Sequence, residues 1–292
     1  MTLRELIITQ ETPSLQDAFI EFVPQVFPGV SFRAWRERDG WDDRYTVFAL
    51  SEGDRIVASA SRQQMDVVLL GKRMRAWQLS AVGTLPDRQS RGLQTRIMQR
   101  LMQHTPSYEL MFLFGNESVL QFYPRFGFQQ LSEWMFQAEC SLAPDAGQPP
   151  LRTLDVARAE DRALLFRIAA DAAPVSRHFA ATNHGRIVLW YCSNFMPNVL
   201  RYVPEHDAII AVEQSGDLLH VYDVLAPVAF DLKAVLPRVS SAPVSRIELG
   251  FSPERIWPAA KPSHPYTESP LFVRGRCAFP SEPFKFPLLA QT

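Results

Sequence analysis

Glycine is scarce in this chain, 13 of 292 residues, so a glycine inside a patterned segment carries information. Cysteine is scarcer. Cys140, Cys192 and Cys277 lie far apart and are odd in number, which excludes a disulfide framework and a CxxC metal knuckle. Charge of one sign is not in excess: 30 Lys and Arg face 31 Asp and Glu. No global field therefore draws the chain to nucleic acid or to an anionic membrane. No stretch approaches the roughly 18 apolar residues of a membrane span. The N-terminus turns polar by Thr9 and has no basic-then-apolar leader. The expectation is a cytoplasmic protein without nucleic-acid or membrane partners; homo-oligomerisation is left open. Five of the six histidines (178, 184, 206, 220 and 264) lie past residue 150, in no HExxH or tetrahedral zinc spacing, so no metal is expected. There is no GxSxG elbow for a serine hydrolase.

What is present is ordinary globular material, 47% hydrophobic and 21% charged, with a length that suits about two domains. Residues 3–9 read as a strand. A helix follows to Phe27, with Ser14 as its N-cap and Pro28-Gly29 behind it. Residues 31–45 are a charged, aromatic segment. Strands follow over 46–50, 55–70 and 74–84, parted by Glu52-Gly53-Asp54 and Gly71-Lys72. A polar loop leads into Leu93, Ile97, Met98, Leu101 and Met102, one apolar helical face. The apolar run 108–114 suits a strand buried on both faces. Residues 117–126 read as a short helix stopped by Gly127, and 134–142 as strand. Residues 143–150 are the linker, giving domains of 1–145 and 146–292.

After the linker the plan restarts. Leu151-Arg152-Thr153-Leu154 echoes Leu3-Arg4-Glu5-Leu6. A helix over 159–172, a hairpin of 208–212 with 218–224, a helix over 229–239 and a strand over 245–251 follow. Eight of the 23 prolines fall in the last 40 residues, so that tail is expected to run extended across the body.

The segment with the most chemistry in it is the strand, loop and helix of 79–104. Gln89-Ser90-Arg91-Gly92-Leu93-Gln94 stands where the helix begins. Free N–H groups and a partial positive charge at a helix N-terminus suit a diphosphate. Ser90 and Gly92 let backbone come close to phosphate oxygens, and Arg88 and Arg91 supply charge-assisted bonds. The loop is neither a P-loop nor GxGxxG. Read on its own it is either an anion site or a solvated loop.

The run from Thr84 to Thr95 resembles the acetyl-CoA loop of the GNAT N-acetyltransferase superfamily, whose pattern is Q/R-x-x-G-x-G/A after a strand and a proline. Gln89 and Gly92 fill its first and fourth positions. Gln94 departs from the usual Gly or Ala at the last. Asn116 to Phe128, with Phe122-Tyr123 and Gly127-Phe128, is similar to the family's second signature, N-x-x-x-x-x-F/Y-Y-x-x-x-G-F. Both motifs lie within 1–142. A tandem arrangement distantly like that of the aminoglycoside-acetylating enhanced-intracellular-survival type would fit the restart at 151. The resemblance implies a mixed α/β sheet flanked by helices, followed by a degenerate second copy.

It also implies direct acetyl transfer from acetyl-CoA to a small-molecule amine, without a metal. The strands 74–84 and 108–114 would splay to admit the pantetheine arm. Backbone groups at Val82 and Thr84 would hold its amides. Arg88, Gln89 and the loop from Arg91 through Gly92, Leu93 and Gln94 to Thr95 would hold the pyrophosphate. Asn116 would face the cofactor. Tyr123 would sit near the thioester sulfur as the acid that protonates the departing thiolate, since a phenol's ordinary pKa of about 10 is close to a thiol's; as a plain core aromatic it would do nothing of the kind. For the general base, Asp66, Glu109 and Glu117 are candidates, as is the C-terminal carboxylate at Thr292, which some relatives use. Trp41, Asp42 and Asp43 suit a cationic acceptor, or else form a mixed-charge loop. Two alternative functions stay open: a non-catalytic acyl-CoA-binding sensor or scaffold, and an acetyltransferase of protein or peptide amines.

Overall fold

A computed structural model describes residues 3–145 and 147–292. Met1, Thr2 and Ala146, the last of them in the expected linker, lie outside the described residues. The first half runs β1 (Leu3–Ile8), α1 (Pro13–Val26), α2 (Arg33–Glu37), β2 (Tyr45–Glu52), β3 (Arg55–Leu69), β4 (Lys72–Thr84), α3 (Leu93–His104), β5 (Leu110–Phe114) and β6 (Gln129–Leu142). The second runs β7 (Arg152–Thr153), α4 (Ala159–Asp171), β8 (Phe179–Thr182), α5 (Gly185–Asn194), β9 (Leu200–Val203), β10 (Ala208–Ser215), β11 (Leu218–Leu225), α6 (Leu232–Val235), β12 (Val244–Leu249) and β13 (Lys261–Gly275).

Most expected elements are present, and the differences have local causes. Ser14 lies inside α1, not at its cap. Thr12 takes that place because Pro13, which has no N–H to leave unpaired, occupies the first helical position. The Thr12 hydroxyl turns back to Thr9 instead of capping the helix. Residues 117–126 form two 3₁₀ turns, Glu117–Val119 and Tyr123–Phe126, with Pro124 in the second, rather than an α-helix. The helix expected over 229–239 shrinks to α6 and a 3₁₀ turn at Leu236–Arg238, where Pro237 removes a donor. α2, β8, α5 and β9 had no counterpart in the sequence reading.

The strands join in one sheet, ordered β1-β2-β3-β4-β5-β13-β6-β12-β11-β10-β9-β7, with β8 paired to β3 off that path. The order is a near-palindrome. From one edge it reads β1 to β5, from the other β7, β9, β10, β11, β12. Each half contains one parallel pair at the matching place: β4 on β5, Ala76 opposite Leu110 to Leu79 opposite Leu113, and β11 on β12, Leu218 opposite Arg246 to Val221 opposite Leu249. The last strand of each half then crosses over. β13 lies antiparallel on β5, β6 lies antiparallel on β12, and the two pair with each other. A cut at 145/146 falls in the linker, yet it leaves each half without the strand that completes its sheet.

β13 holds Pro262, Pro265 and Pro270 in the middle of the sheet. They survive because its register on β6 breaks between Pro262 and Pro265 and again between Tyr266 and Leu271, where ladder bonds are not demanded. The remaining tail, as expected, stays irregular and packs across the body. Glu133 and Lys285 pin it in full burial, Nζ to Oε2 at 3.0 Å, with the Phe286 N–H donating to Glu133 Oε1 at 2.7 Å. The Lys285 ammonium also stands 3.9 Å from the Tyr266 ring centroid. Burial pushes the Glu133 carboxyl up and the Lys285 ammonium down, each against the pull of its partner.

Candidate active site

β4 carries an irregularity that opens the sheet. Its register on β3 shifts between Ser59 and Ser61, and Ala81 takes a left-handed backbone, φ 47°. The Ser59 hydroxyl holds the Ala81 carbonyl at 2.7 Å. Past Leu79 and Leu113, β4 and β5 no longer pair. The gap continues into a cavity of about 220 Å³. Ala81, Val82, Phe114, Gly115, Asn116 and Tyr123 line it on the side of the gap. Phe27, Phe32, Trp35, Tyr45, Ile187 and Trp190 are among those that complete it.

The loop behind β4 ends in two consecutive left-handed excursions, Ser90 at φ 60° and Gly92 at φ 73°. Gly92 is the N-cap of α3 and has no side chain to accept from the helix. The first N–H groups of the helix, at Leu93, Gln94 and Thr95, therefore point out of an open N-terminus. α3 stays in place because Leu93, Ile97, Met98 and Leu101 bury one face of it. The Thr84 hydroxyl, at the start of the loop, is buried with no hydrogen-bond partner among the described residues. Arg91 is exposed and has no ion-pair partner among them.

Other sequence-derived residues are already engaged. Arg88 grips Glu52 through Nε and Nη2, at 3.0 and 2.8 Å to Oε2, and Asp87 through Nη1. That guanidinium holds Glu52 below the usual carboxylate range. Gln89 is exposed and makes one long contact, 3.5 Å, to the Thr84 carbonyl. Gln94 folds back, its Nε2 donating to the Val82 carbonyl at 3.3 Å. Asn116 caps its own turn by accepting from the Ser118 N–H at 3.0 Å, while still lining the cavity.

Tyr123 opens the second 3₁₀ turn and is 4% exposed. Its ring packs on Phe128 and on Phe272 of β13, at 6.0 and 5.4 Å between centroids. Burial alone pushes its phenol well above the ordinary tyrosine value. The match to a thiol's pKa expected from the sequence does not hold for this buried phenol. What holds is that it stays protonated and so keeps an O–H to donate.

Residues 9–131 match the family model described as an acetyltransferase (GNAT) domain. The likeness to that family lies in the first half of the chain. Similar solved structures extend the likeness in fold across the second half. A GCN5-related N-acetyltransferase from Kribbella flavida is 16% identical, with 94% of this chain and 71% of that one covered at a TM-score of 0.57. Eis1 from Mycobacterium abscessus is 17% identical, with 92% and 73% covered at 0.57. A probable N-acyltransferase from Enterococcus faecalis V583 is 14% identical, with 94% and 72% covered at 0.56. No curated protein sequence matches the chain. With the palindromic sheet, this likeness makes the molecule two GNAT-like halves.

The acceptor residues read from the sequence lie elsewhere than in the cavity. Trp41 is 7% exposed, locked between Phe19 and Tyr45 at 5.8 and 5.1 Å. Asp42 is spent on Arg44 and Arg186, at 3.1 and 3.2 Å. Asp43 is exposed. The side chains proposed as bases are also outside it. Asp66 faces Arg44, Glu109 pairs with Lys72, and Glu117 is exposed. Thr292 does line the cavity. Gln78, buried in β4, donates from Nε2 to the Ala290 carbonyl at 2.9 Å and accepts the Thr292 N–H on Oε1 at 2.8 Å.

The sequence left open whether the degenerate second half shapes the acceptor pocket or an interface, and it did not show which residues of that half would reach the cavity. Ile187 and Trp190 of α5 wall the cavity. Trp35 of the first half donates its indole N–H to the Arg186 carbonyl at 2.8 Å and so fixes α5 over the opening. The run 185–194, apolar and ending in Asn194, had helical spacing enough to be noticed, but nothing in it pointed across to the other half.

Proposed function

We propose that the chain is an acetyl-CoA-dependent N-acetyltransferase acting on a small amine. The observation that carries this reading is the gap between β4 and β5, with Tyr123 in its wall and the uncapped N-terminus of α3 behind Gly92. The residues present fit acetyl-CoA: the open N–H groups, the left-handed cap and the unpartnered Thr84 hydroxyl are all polar groups in want of a ligand. Leu93 to Thr95 would hold the pyrophosphate through their N–H groups, and Arg91 would add charge. Arg88 would act indirectly, by keeping the loop tied to Glu52. Val82 and Asn116 would face the pantetheine arm. Acetyl-CoA supplies, when bound, an acetyl group activated as a thioester.

The protein's own contribution is positional and electrostatic. The Tyr123 phenol holds a proton beside the gap and would give it up to the departing sulfur. The apolar wall excludes water and disfavours an ammonium, so the acceptor enters in its neutral, nucleophilic form. Saturating CoA should raise the melting temperature by mass action, and a panel of amines with acetyl-CoA should release free thiol. A native chain whose melting temperature does not move with CoA contradicts the reading.

A further inference from the structure

The cavity wall away from β5 is built of interlocked rings. Phe32 meets Trp35 at 5.4 Å and 89°, Tyr45 at 5.8 Å and Trp190 at 6.2 Å; Trp35 meets Tyr45 at 5.3 Å and 79°. These are edge-on and tilted contacts that leave ring faces and edges fixed in place. Phe27 and Ile187 complete this side. No Asp, Glu, Lys, Arg or His side chain lines the cavity among the described residues. Its polar side chains are few and uncharged: Gln63, Ser80, Asn116, Thr292 and the phenols of Tyr45 and Tyr123, with Thr292 also carrying the terminal carboxylate. The hydroxyls of Tyr45 and Ser80, both in residues at least nine-tenths buried, meet no hydrogen-bond partner of good geometry among the described residues, with Ser61 the other hydroxyl beside Tyr45.

We infer that the acceptor is a primary amine carried on an aromatic body, and that polyamines and other polycations are excluded. The inference rests on the acetyltransferase reading and adds the substrate class. An aromatic body finds stacking and edge contacts on Phe32, Trp35 and Trp190. One amino group is tolerated, because it enters neutral and spends its lone pair on the thioester carbonyl. A second or third charge would be buried with no side-chain carboxylate to meet it. Asp42, on the segment between Trp35 and Tyr45, is held by Arg44 and Arg186 and does not line the cavity.

The test compares 2-phenylethylamine with spermidine on the native chain, following thiol release from acetyl-CoA. The expected kcat/KM favours 2-phenylethylamine by at least about tenfold. An equal or better value for spermidine overturns the inference. Ile187→Asp places a carboxylate in the same wall and should lower kcat/KM for 2-phenylethylamine by about tenfold or more, with the CoA Kd held within about twofold. Calorimetric titration of 2-phenylethylamine into the native chain separates the two claims. If CoA fails to bind, the acetyltransferase reading falls, while saturable binding of the amine still supports the ligand class. No binding of the amine to a chain that does bind CoA overturns the ligand class alone.

Discussion

In the first half, α3 begins at Gly92 with no side-chain cap among the described residues; in the second, the matching helix α6 begins at Asp231, whose carboxylate accepts the Lys233 N–H at 3.0 Å. One end is open to an anion and the other already holds one. The gaps beside them differ in the same sense. Between β4 and β5 the sheet opens into a cavity. Between β11 and β12 the tail fills the corresponding place: the Leu288 N–H donates to the Gly250 carbonyl at 2.9 Å, and a Cβ on Gly250 would come within 2.6 Å of Leu288 Cδ1 and 2.9 Å of the Tyr222 carbonyl. A shared topology thus carries an open cavity in one copy and a plug in the other. The degenerate copy is not idle. It lends β13 to the first sheet, α5 to the cavity wall, and a tail that runs from the plug to Gln78.

The comparison can be broken hardest at the tail. Lys285→Met leaves Glu133 buried without its partner and should cost about 3–5 kcal/mol of stability at neutral pH, measured by chemical denaturation. The sign with pH follows from burial. The Glu133 carboxyl is already pushed up, and the variant removes the cation that pulls it down, leaving only the Phe286 N–H to do so. A carboxyl raised in the folded state contributes stability below its unfolded value of about 4.3 and loses it as pH rises through the folded value. The deficit should therefore be smallest near pH 4 and grow toward pH 7. A deficit independent of pH would mean that Glu133 does not titrate in this way.

Tyr123→Phe tests the open side. It should lower kcat by about 10²-fold or more, with CoA affinity little changed, since the ring packing on Phe128 and Phe272 is kept. Unaltered turnover would make Tyr123 a core aromatic only. Gln94→Ala is a smaller step in the other direction. It removes the side chain that occupies the Val82 carbonyl, a bond worth roughly 0.5–1.5 kcal/mol, so CoA should bind about two- to tenfold tighter by calorimetry. Weaker binding would show that Gln94 helps to hold the cofactor. The smallest effect belongs to Asp42→Asn. Its partly exposed pairs should cost about 1 kcal/mol or less in stability and leave the acceptor KM unchanged. A raised KM would return Asp42 to the acceptor site.

Local pattern carried a good part of this to the reader of the sequence. The apolar face from Leu93 to Leu101, the turns at Gly53 and Gly71, and the hairpin of β10 and β11 are contacts between near neighbours, and their spacing shows. The loop from Gln89 to Gln94 was legible for the same reason: its pattern lies in consecutive residues. The exchange of β6 and β13 was not, because nothing in the run 261–275, broken by prolines, says which strands it will part. Trp41 and Asp42, which the sequence left between an acceptor site and a mixed-charge loop, do not line the cavity. An aromatic beside carboxylates looks alike in sequence whether it faces a ligand or, as here, Phe19 and two arginines. Only the packing distinguishes them.

The most direct test of the account is the number of CoA molecules one chain binds. Calorimetric titration of the native chain should give one site per chain. Gly92→Asp, which strains a backbone at φ 73° and sets a carboxylate before the N–H groups of α3, should abolish that site and reveal no other. Two sites per chain, or one that survives Gly92→Asp, would contradict the assignment of an open first half and a plugged second.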